Sequence, residues 1–367
     1  MRFGHHQPNI KMKNKLTLLF AAALLIVAAC DNKKQSETAD NNITISPESG
    51  ATYKAGDVVT IKLTYPADVK PDSIVYMVDS VRIGSKTDSS AISLKTDTLP
   101  LGVKVITGKF YKGGTNQDVA TNIVLMAAKA PEELTFVVEK VFPHDTSAFT
   151  EGLLYQDGYL YESTGLEGES ELRKVELNTG KVVQRAKIDD QYFGEGSAIV
   201  GDKIVMMTYK SKIGFVFDKN TFKLLKTFNN NVGIEGWGMA NDGKKLYLDD
   251  SSNRIYFLDK DNYNSTGSIE VYDDKGPIQA VNELEYIDGK LYANIYETDN
   301  IIVIDPKTGA VLQKIDLTNL WPLNQRPAGF DSGNFVLNGI AWDAKGKRMF
   351  VTGKKWPHLY QVKFVKK

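Results

Sequence analysis

The sequence has 367 residues and sets 45 basic against 45 acidic side chains, so no bulk charge draws it to nucleic acid or to a membrane surface. Its length exceeds one ordinary domain, and its single cysteine excludes a disulfide, a CxxC redox pair and a thiolate metal cluster. Any ligand preference must therefore be local.

Lys11, Lys13 and Lys15 precede an apolar run from Leu16 to Ala29 that is short for a bilayer span and ends in small residues, the pattern of an export signal over residues 1–29. The signal is already complete from Met12. It closes on Val27-Ala28-Ala29-Cys30, which resembles a bacterial lipobox, and that resemblance implies lipidation of Cys30 and a membrane-anchored lipoprotein. The expected location is the periplasmic side of the inner or outer membrane, or the cell surface. Residues 30–42 (through Asn42) hold no large apolar side chain and read as a solvated tether.

Between residues 43 and 130, short runs of alternating polarity are separated by turn signals. Val59, Ile61, Leu63 and Tyr65 share one face and Thr60, Lys62 and Thr64 the other, which predicts a half-buried strand. Similar runs follow at Ile74 to Val78, Ile92 to Leu94, Val103 to Phe110 and Ile123 to Met126. Ser49-Gly50, Pro71-Asp72 and Gly113-Gly114 mark turns. About 90 residues of this kind predict an immunoglobulin-like β-sandwich without the antibody cysteine pair. It carries no catalytic constellation and reads as a spacer or docking module.

From residue 134 to 367 the chain repeats with a period of about 42 to 56 residues. Phe149-Thr150-Glu151-Gly152, Phe193-Gly194-Glu195-Gly196, Gly236-Trp237-Gly238-Met239, Val281-Asn282-Glu283 and Leu337-Asn338-Gly339 open the units. Hairpin turns follow at Asp157-Gly158, Gly201-Asp202, Asp242-Gly243, Asp288-Gly289 and Lys345-Gly346. A second echo runs through Asn178-Thr179-Gly180, Asn220-Thr221-Phe222, Asp261-Asn262-Tyr263 and Lys307-Thr308-Gly309. Five units predict an all-β, five-bladed β-propeller. Residues at one phase then lie around one axis, so Glu151, Glu195, Trp237, Asn282 and Asn338 form a ring at a channel mouth. Two carboxylates close together in a partly desolvated channel raise the pKa of at least one of them, which suits general acid–base work. The alternative for each ring member is a purely structural polar contact between blades.

The segments Phe193-Gly194-Glu195-Gly196, Ser211-Lys212-Ile213-Gly214-Phe215, Gly236-Trp237-Gly238-Met239, Asn282-Glu283-Leu284-Glu285-Tyr286, Leu337-Asn338-Gly339-Ile340-Ala341-Trp342-Asp343 and Thr352-Gly353-Lys354-Lys355-Trp356-Pro357 resemble the motifs of plant-type glutaminyl-peptide cyclotransferases. The likeness runs from Phe149 to the C-terminus. It implies closure of N-terminal glutamine to pyroglutamate with loss of ammonia, no metal cofactor, and peptides or proteins with N-terminal glutamine as partners. The family's catalytic glutamate maps to Glu195, and its channel tryptophan, asparagine and lysine to Trp237, Asn282 and Lys354. Phe149, Phe193, Tyr209 and Tyr296 are expected to line the substrate pocket, although the plant members have tryptophan where Tyr209 and Tyr296 stand. Glu151 is a further departure, since the plant motif reads Phe-Thr-Gln-Gly-Leu; it adds a second charge beside Glu195, for the substrate ammonium or for tuning Glu195.

Other polar residues read as structural. His144 and His358 lack ligand spacing, and His144 is assigned to the surface or a turn. Asp249-Asp250, Asp259, Asp273-Asp274 and Asp305 are assigned to turns, with a structural ion such as calcium left open. Lys363, Lys366 and Lys367 read as a frayed end. The competing function is a non-catalytic propeller that binds peptide or glycan. Glu195 separates the two, because a binding pocket for a small amide has no need of an ionisable acid.

Overall fold

The computed structural model describes residues 43–367. The export signal over 1–29, Cys30 and the tether lie outside the described residues.

The N-terminal strands form two sheets that share one core. Thr44–Ser46, Val58–Thr64 and Ile92–Lys95 make the three-stranded sheet. The five-stranded sheet runs in the order Ala51–Lys54, Thr115–Met126, Gly102–Lys112, Ser73–Val78, Val81–Lys86. This pairing order is that of an immunoglobulin-like sandwich. The alternation seen in the sequence does the work: Val59, Ile61 and Leu63 are fully buried against Ile74, Tyr76, Ile106 and Ile123, while their neighbours face solvent. Three strands escape the sequence pattern. Thr44–Ser46 and Ala51–Lys54 are too short to show a period, and Val81–Lys86 is largely exposed, held by its hairpin with Ser73–Val78.

Beyond residue 131 the chain builds antiparallel four-stranded meanders over 150–187, 194–229, 239–270 and 281–316. The closing group is assembled from both ends of this region. Leu337–Asp343, Arg348–Gly353 and His358–Lys366 supply three strands, and Glu132–Pro143 the fourth, from His358↔Pro143 to Lys366↔Leu134. Lys363 and Lys366 therefore lie in a paired strand rather than a frayed end. The first strands of the groups touch one another in a closed circle, 150–156 meeting both 194–200 and 337–343, so the architecture is a β-propeller.

The turns sit where the sequence puts them. Asp157-Gly158 and Asp288-Gly289 both carry positive φ at each residue, as a tight two-residue hairpin demands. In the second echo the carboxylates of Asp218, Asp259 and Asp305 accept backbone N–H groups of the following residues, which fixes the corner between third and fourth strands.

The sandwich seats directly on the propeller. Leu101 N–H donates to Thr308 O at 2.8 Å and Ala127 N–H to Asp273 O at 3.0 Å. Glu270, paired with Arg254, accepts the N–H of Val103 at 3.1 Å. Tyr272 and Ala310 pack into the sandwich core.

Candidate active site

The repeat phase becomes geometry through a shared backbone irregularity. Pairing of the innermost strand with its neighbour slips between Thr150 and Gly152, Gly194 and Ser197, Val281 and Leu284, and Leu337 and Ile340. Glu151, Glu195, Asn282 and Asn338 sit in those slips, where a bulged strand can re-aim a side chain out of the ladder. All four are buried. The neighbouring strands come so close here that Gly196 has no room for a methyl against the backbone of Trp237 and Met239, and Gly238 none against Asn282 and Glu283.

Three ionisable groups converge. Lys354 Nζ lies 2.7 Å from Glu151 Oε1 and is almost wholly buried with it. The side chains of Glu151 and Glu195 share a hydrogen bond. Asn338 Nδ2 donates to Thr150 O at 2.9 Å and reaches Glu151 Oε2 at 3.3 Å. Burial first, and then the negative charge of Glu151, push the Glu195 carboxyl well above the usual range, with Lys354 pulling against them. Burial also lifts Glu151, opposed by Lys354. For Lys354, burial works against the charged form, but Glu151 and Glu195 outweigh it and hold the ammonium above its ordinary value. The arrangement is an ion pair with a protonatable acid bonded to it.

Aromatic rings wall this triad. Phe149 and Phe193 meet edge to face at 6.1 Å, Phe193 and Tyr209 lie 5.5 Å apart, and Trp237 meets Tyr296 at 5.4 Å. Lys354 Nζ stands 4.7 Å from the Phe149 ring centre and 5.3 Å from that of Tyr296. The Trp237 indole N–H donates to Glu235 at 3.0 Å, which fixes the ring's orientation. Asn282 is buried in the same ring, and among the described residues its Oδ1 bonds nothing. A buried, unpartnered acceptor of this kind suits a ligand donor.

Sequence reasoning missed several polar residues beneath the mouth. Asp249, which the sequence places in a turn, ends a buried strand, and burial holds its carboxyl well above the carboxylate range. Glu283 accepts the N–H groups of Leu153 at 3.0 Å and Ile340 at 2.8 Å, tying three inner strands together. His144, expected at the surface or in a turn, is buried, with Nδ1 2.7 Å from Trp356 O and Nε2 3.0 Å from Glu162. Glu162 also accepts the Thr150 hydroxyl at 2.7 Å. His144 and Thr150 lie 18 and 12 residues from Glu162 with no spacing that marks a pair, so only an acid in mid-strand, as Glu162 is, hinted at it.

The model of the glutamine cyclotransferase family matches residues 113–364. The chain belongs to that family. It is 42% identical over 234 residues to the glutaminyl-peptide cyclotransferase of Arabidopsis thaliana, covering 63% of this chain and 71% of that one. It also superposes on the crystal structure of Myxococcus xanthus glutaminyl cyclase with a TM-score of 0.58 and 30% identity, over 64% of this chain and 98% of that one. In this glutamine cyclotransferase the matched residues include all the ring positions and Lys354.

The strut at Glu283 yields a stability test. Glu283→Ala leaves the N–H groups of Leu153 and Ile340 without acceptors, at a cost of about 2–4 kcal/mol in urea unfolding. Burial holds the Glu283 carboxyl above its unfolded value, so the wild type loses stability as pH rises from about 4.3 through the folded value. Glu283→Gln keeps an acceptor and removes that titration, so its urea midpoint gains on the wild type as pH rises. A constant difference across pH would show that Glu283 does not titrate in the fold.

Proposed function

We propose that this chain closes N-terminal glutamine of peptides and proteins to pyroglutamate and releases ammonia, without a metal, with Glu195 moving the proton. The observation that carries the reading is Glu195 itself, a buried acid of raised pKa bonded to the Glu151–Lys354 pair and walled by Phe149, Phe193, Tyr209, Trp237 and Tyr296. The substrate's α-nitrogen forms the new bond to the γ-carbonyl carbon, and the bond from that carbon to the amide nitrogen breaks. The proton shed by the α-amine passes through the Glu195 carboxyl to the departing nitrogen, which leaves as ammonia. A peptide α-amine has a pKa of about 7.7–8.0, so an acid lifted towards that range exchanges protons with it at small cost. Lys354 steadies charge on the carboxamide oxygen, Asn282 offers its free Oδ1 to a substrate N–H, and the aromatic walls keep water out and fold the side chain back on the amine.

Ammonia release from a Gln-initiated peptide, beside its Asn-initiated counterpart, tests this with protein lacking residues 1–30. Rapid release from the first alone, retained with a chelator, is the expected result. Release no faster than the spontaneous rate leaves a binding propeller instead.

Glu151 sets the pH range. Its charge raises Glu195, and its removal also leaves Lys354 to act on Glu195 unopposed. Glu151→Gln therefore moves the acid limb of kcat/KM to lower pH. An unmoved limb removes Glu151 from this role.

The remaining features complete the reading as an exported bacterial lipoprotein. Cys30 takes the lipid, residues 30–42 form the tether, the sandwich over 43–130 is a spacer or docking module, and the propeller over 134–367 works on the periplasmic side of the inner or outer membrane or at the cell surface. A lipid mass on the mature N-terminus, absent in Cys30→Ser, is the corresponding measurement.

A further inference from the structure

The connection over 317–336, between the fourth meander and the closing group, rises beside the catalytic mouth. Its rings run in a line from the mouth: Phe335 lies 6.3 Å from Phe149, Phe330 5.2 Å from Phe335, and Trp321 4.8 Å from Phe330. Between this connection and residues 297–299 lies a cavity of about 270 Å³, walled by Glu297, Asp299, Trp321, Arg326, Ser332 and Trp356. Two of its walls are sequence neighbours of the site. Glu297 follows Tyr296, and Trp356 is two residues beyond Lys354.

Arg326 is the chemically distinctive wall. Its Nε and Nη2 donate to Trp321 O at 3.1 and 2.9 Å, and Nη1 to Ser332 Oγ at 3.2 Å. Its guanidinium carbon lies 5.3 Å from the Trp321 ring and 5.6 Å from that of Trp356. Each acceptor is neutral, and among the described residues no carboxylate pairs with it. A guanidinium has five N–H donors, so hydrogens remain for a further acceptor, and stacking on rings leaves the group oriented and weakly hydrated. The two acids of the facing wall, Glu297 and Asp299, make no salt bridge with it among the described residues. Glu297 is exposed, and burial lifts the Asp299 carboxyl above its ordinary value against the pull of Arg326.

We propose that Arg326 and this cavity form a subsite for a carboxylate carried by the substrate downstream of its glutamine. Its source is either the C-terminal carboxylate of a short peptide or an acidic side chain at the second or third position. The contacting rings from Phe149 through Phe335 and Phe330 to Trp321 mark a path from the mouth to the cavity along which an extended chain advances about 3.3–3.6 Å per residue. Leu323, 71% exposed on the same connection, offers the intervening chain an apolar rim. The proposal rests on the cyclase reading and specifies which peptides that site prefers.

Two matched pairs test it: Gln-Ala-Ala as free acid against its amide, and Gln-Ala-Glu-amide against Gln-Ala-Gln-amide. Wild type is expected to favour the carboxylate member of at least one pair by about tenfold in kcat/KM, as one charge-assisted contact supplies. The advantage lies in KM, because the contact is remote from the reacting atoms. A preference in the first pair assigns the subsite to a chain terminus, and in the second to an acidic side chain. Arg326→Gln collapses the ratio within the pair and Arg326→Lys keeps part of it; taking ratios within one enzyme cancels general damage. Equal rates within both pairs for wild type overturn the proposal even if no variant folds, as does a ratio that survives in Arg326→Gln. Cyclisation of the neutral peptides alongside equal rates leaves the parent reading standing, whereas no cyclisation of any peptide brings down both.

Discussion

Replacing Glu195 by glutamine lowers kcat for ammonia release by about 10²–10⁴-fold, the range expected when a positioned proton-transfer group is lost. Glutamine keeps the size and the hydrogen bond to Glu151 but cannot carry a proton from the α-amine to the leaving nitrogen. The Glu151–Lys354 pair and the aromatic walls remain, so KM should move little, the sign of an interaction used in the transition state rather than in binding. Single-turnover ammonia release from a Gln-peptide measures this directly. A variant within a few-fold of wild type would refute Glu195 as the proton carrier and leave the chemistry to solvent and the Glu151–Lys354 pair.

The largest expected loss of stability comes from the buried His144–Glu162 pair. His144→Ala strands the Glu162 carboxylate beneath the inner strands, at a cost of about 3–5 kcal/mol in urea unfolding. Burial opposes the charged imidazole, but Glu162 outweighs it and raises His144, while His144 in turn holds Glu162 below its ordinary value. The His144 contribution is fully present below its unfolded pKa of about 6.5 and is lost as pH rises through its folded value. The Glu162 contribution is present above about 4.3 and is lost as pH falls through its folded value. The variant's deficit should therefore be largest between those limits. Pairing His144→Leu with Glu162→Met should cost less than the two single changes together, because no charge is left stranded. Additive losses would show that the two side chains do not act as a pair. The same contacts hold Thr150 and Trp356, the neighbours of Glu151 and Lys354, so pair and active site share a scaffold.

The periodic part of this protein is written locally along its chain. Alternation at Val59, Ile61 and Leu63 marked a sandwich strand, and recurring Asp-Gly hairpins set the rhythm of the meanders, because both patterns are local consequences of pleat and turn geometry. Repeat phase also nominated Glu151, Glu195, Asn282 and Asn338 together, since equivalent positions of a radial repeat face one axis. Which of them touch is set by packing between distant strands. It paired Lys354 with Glu151 across 203 residues, joined His144 to Trp356 across 212, and closed the last group with a strand that precedes the first. It also moved Asp249 from an expected turn to the end of a buried strand and set Arg326 over the rings of Trp321 and Trp356. The two kinds of information differ in range. A strand or turn is specified by neighbours a few residues away, whereas the pKa of a buried acid depends on charges and desolvation supplied by distant strands, which no local pattern encodes.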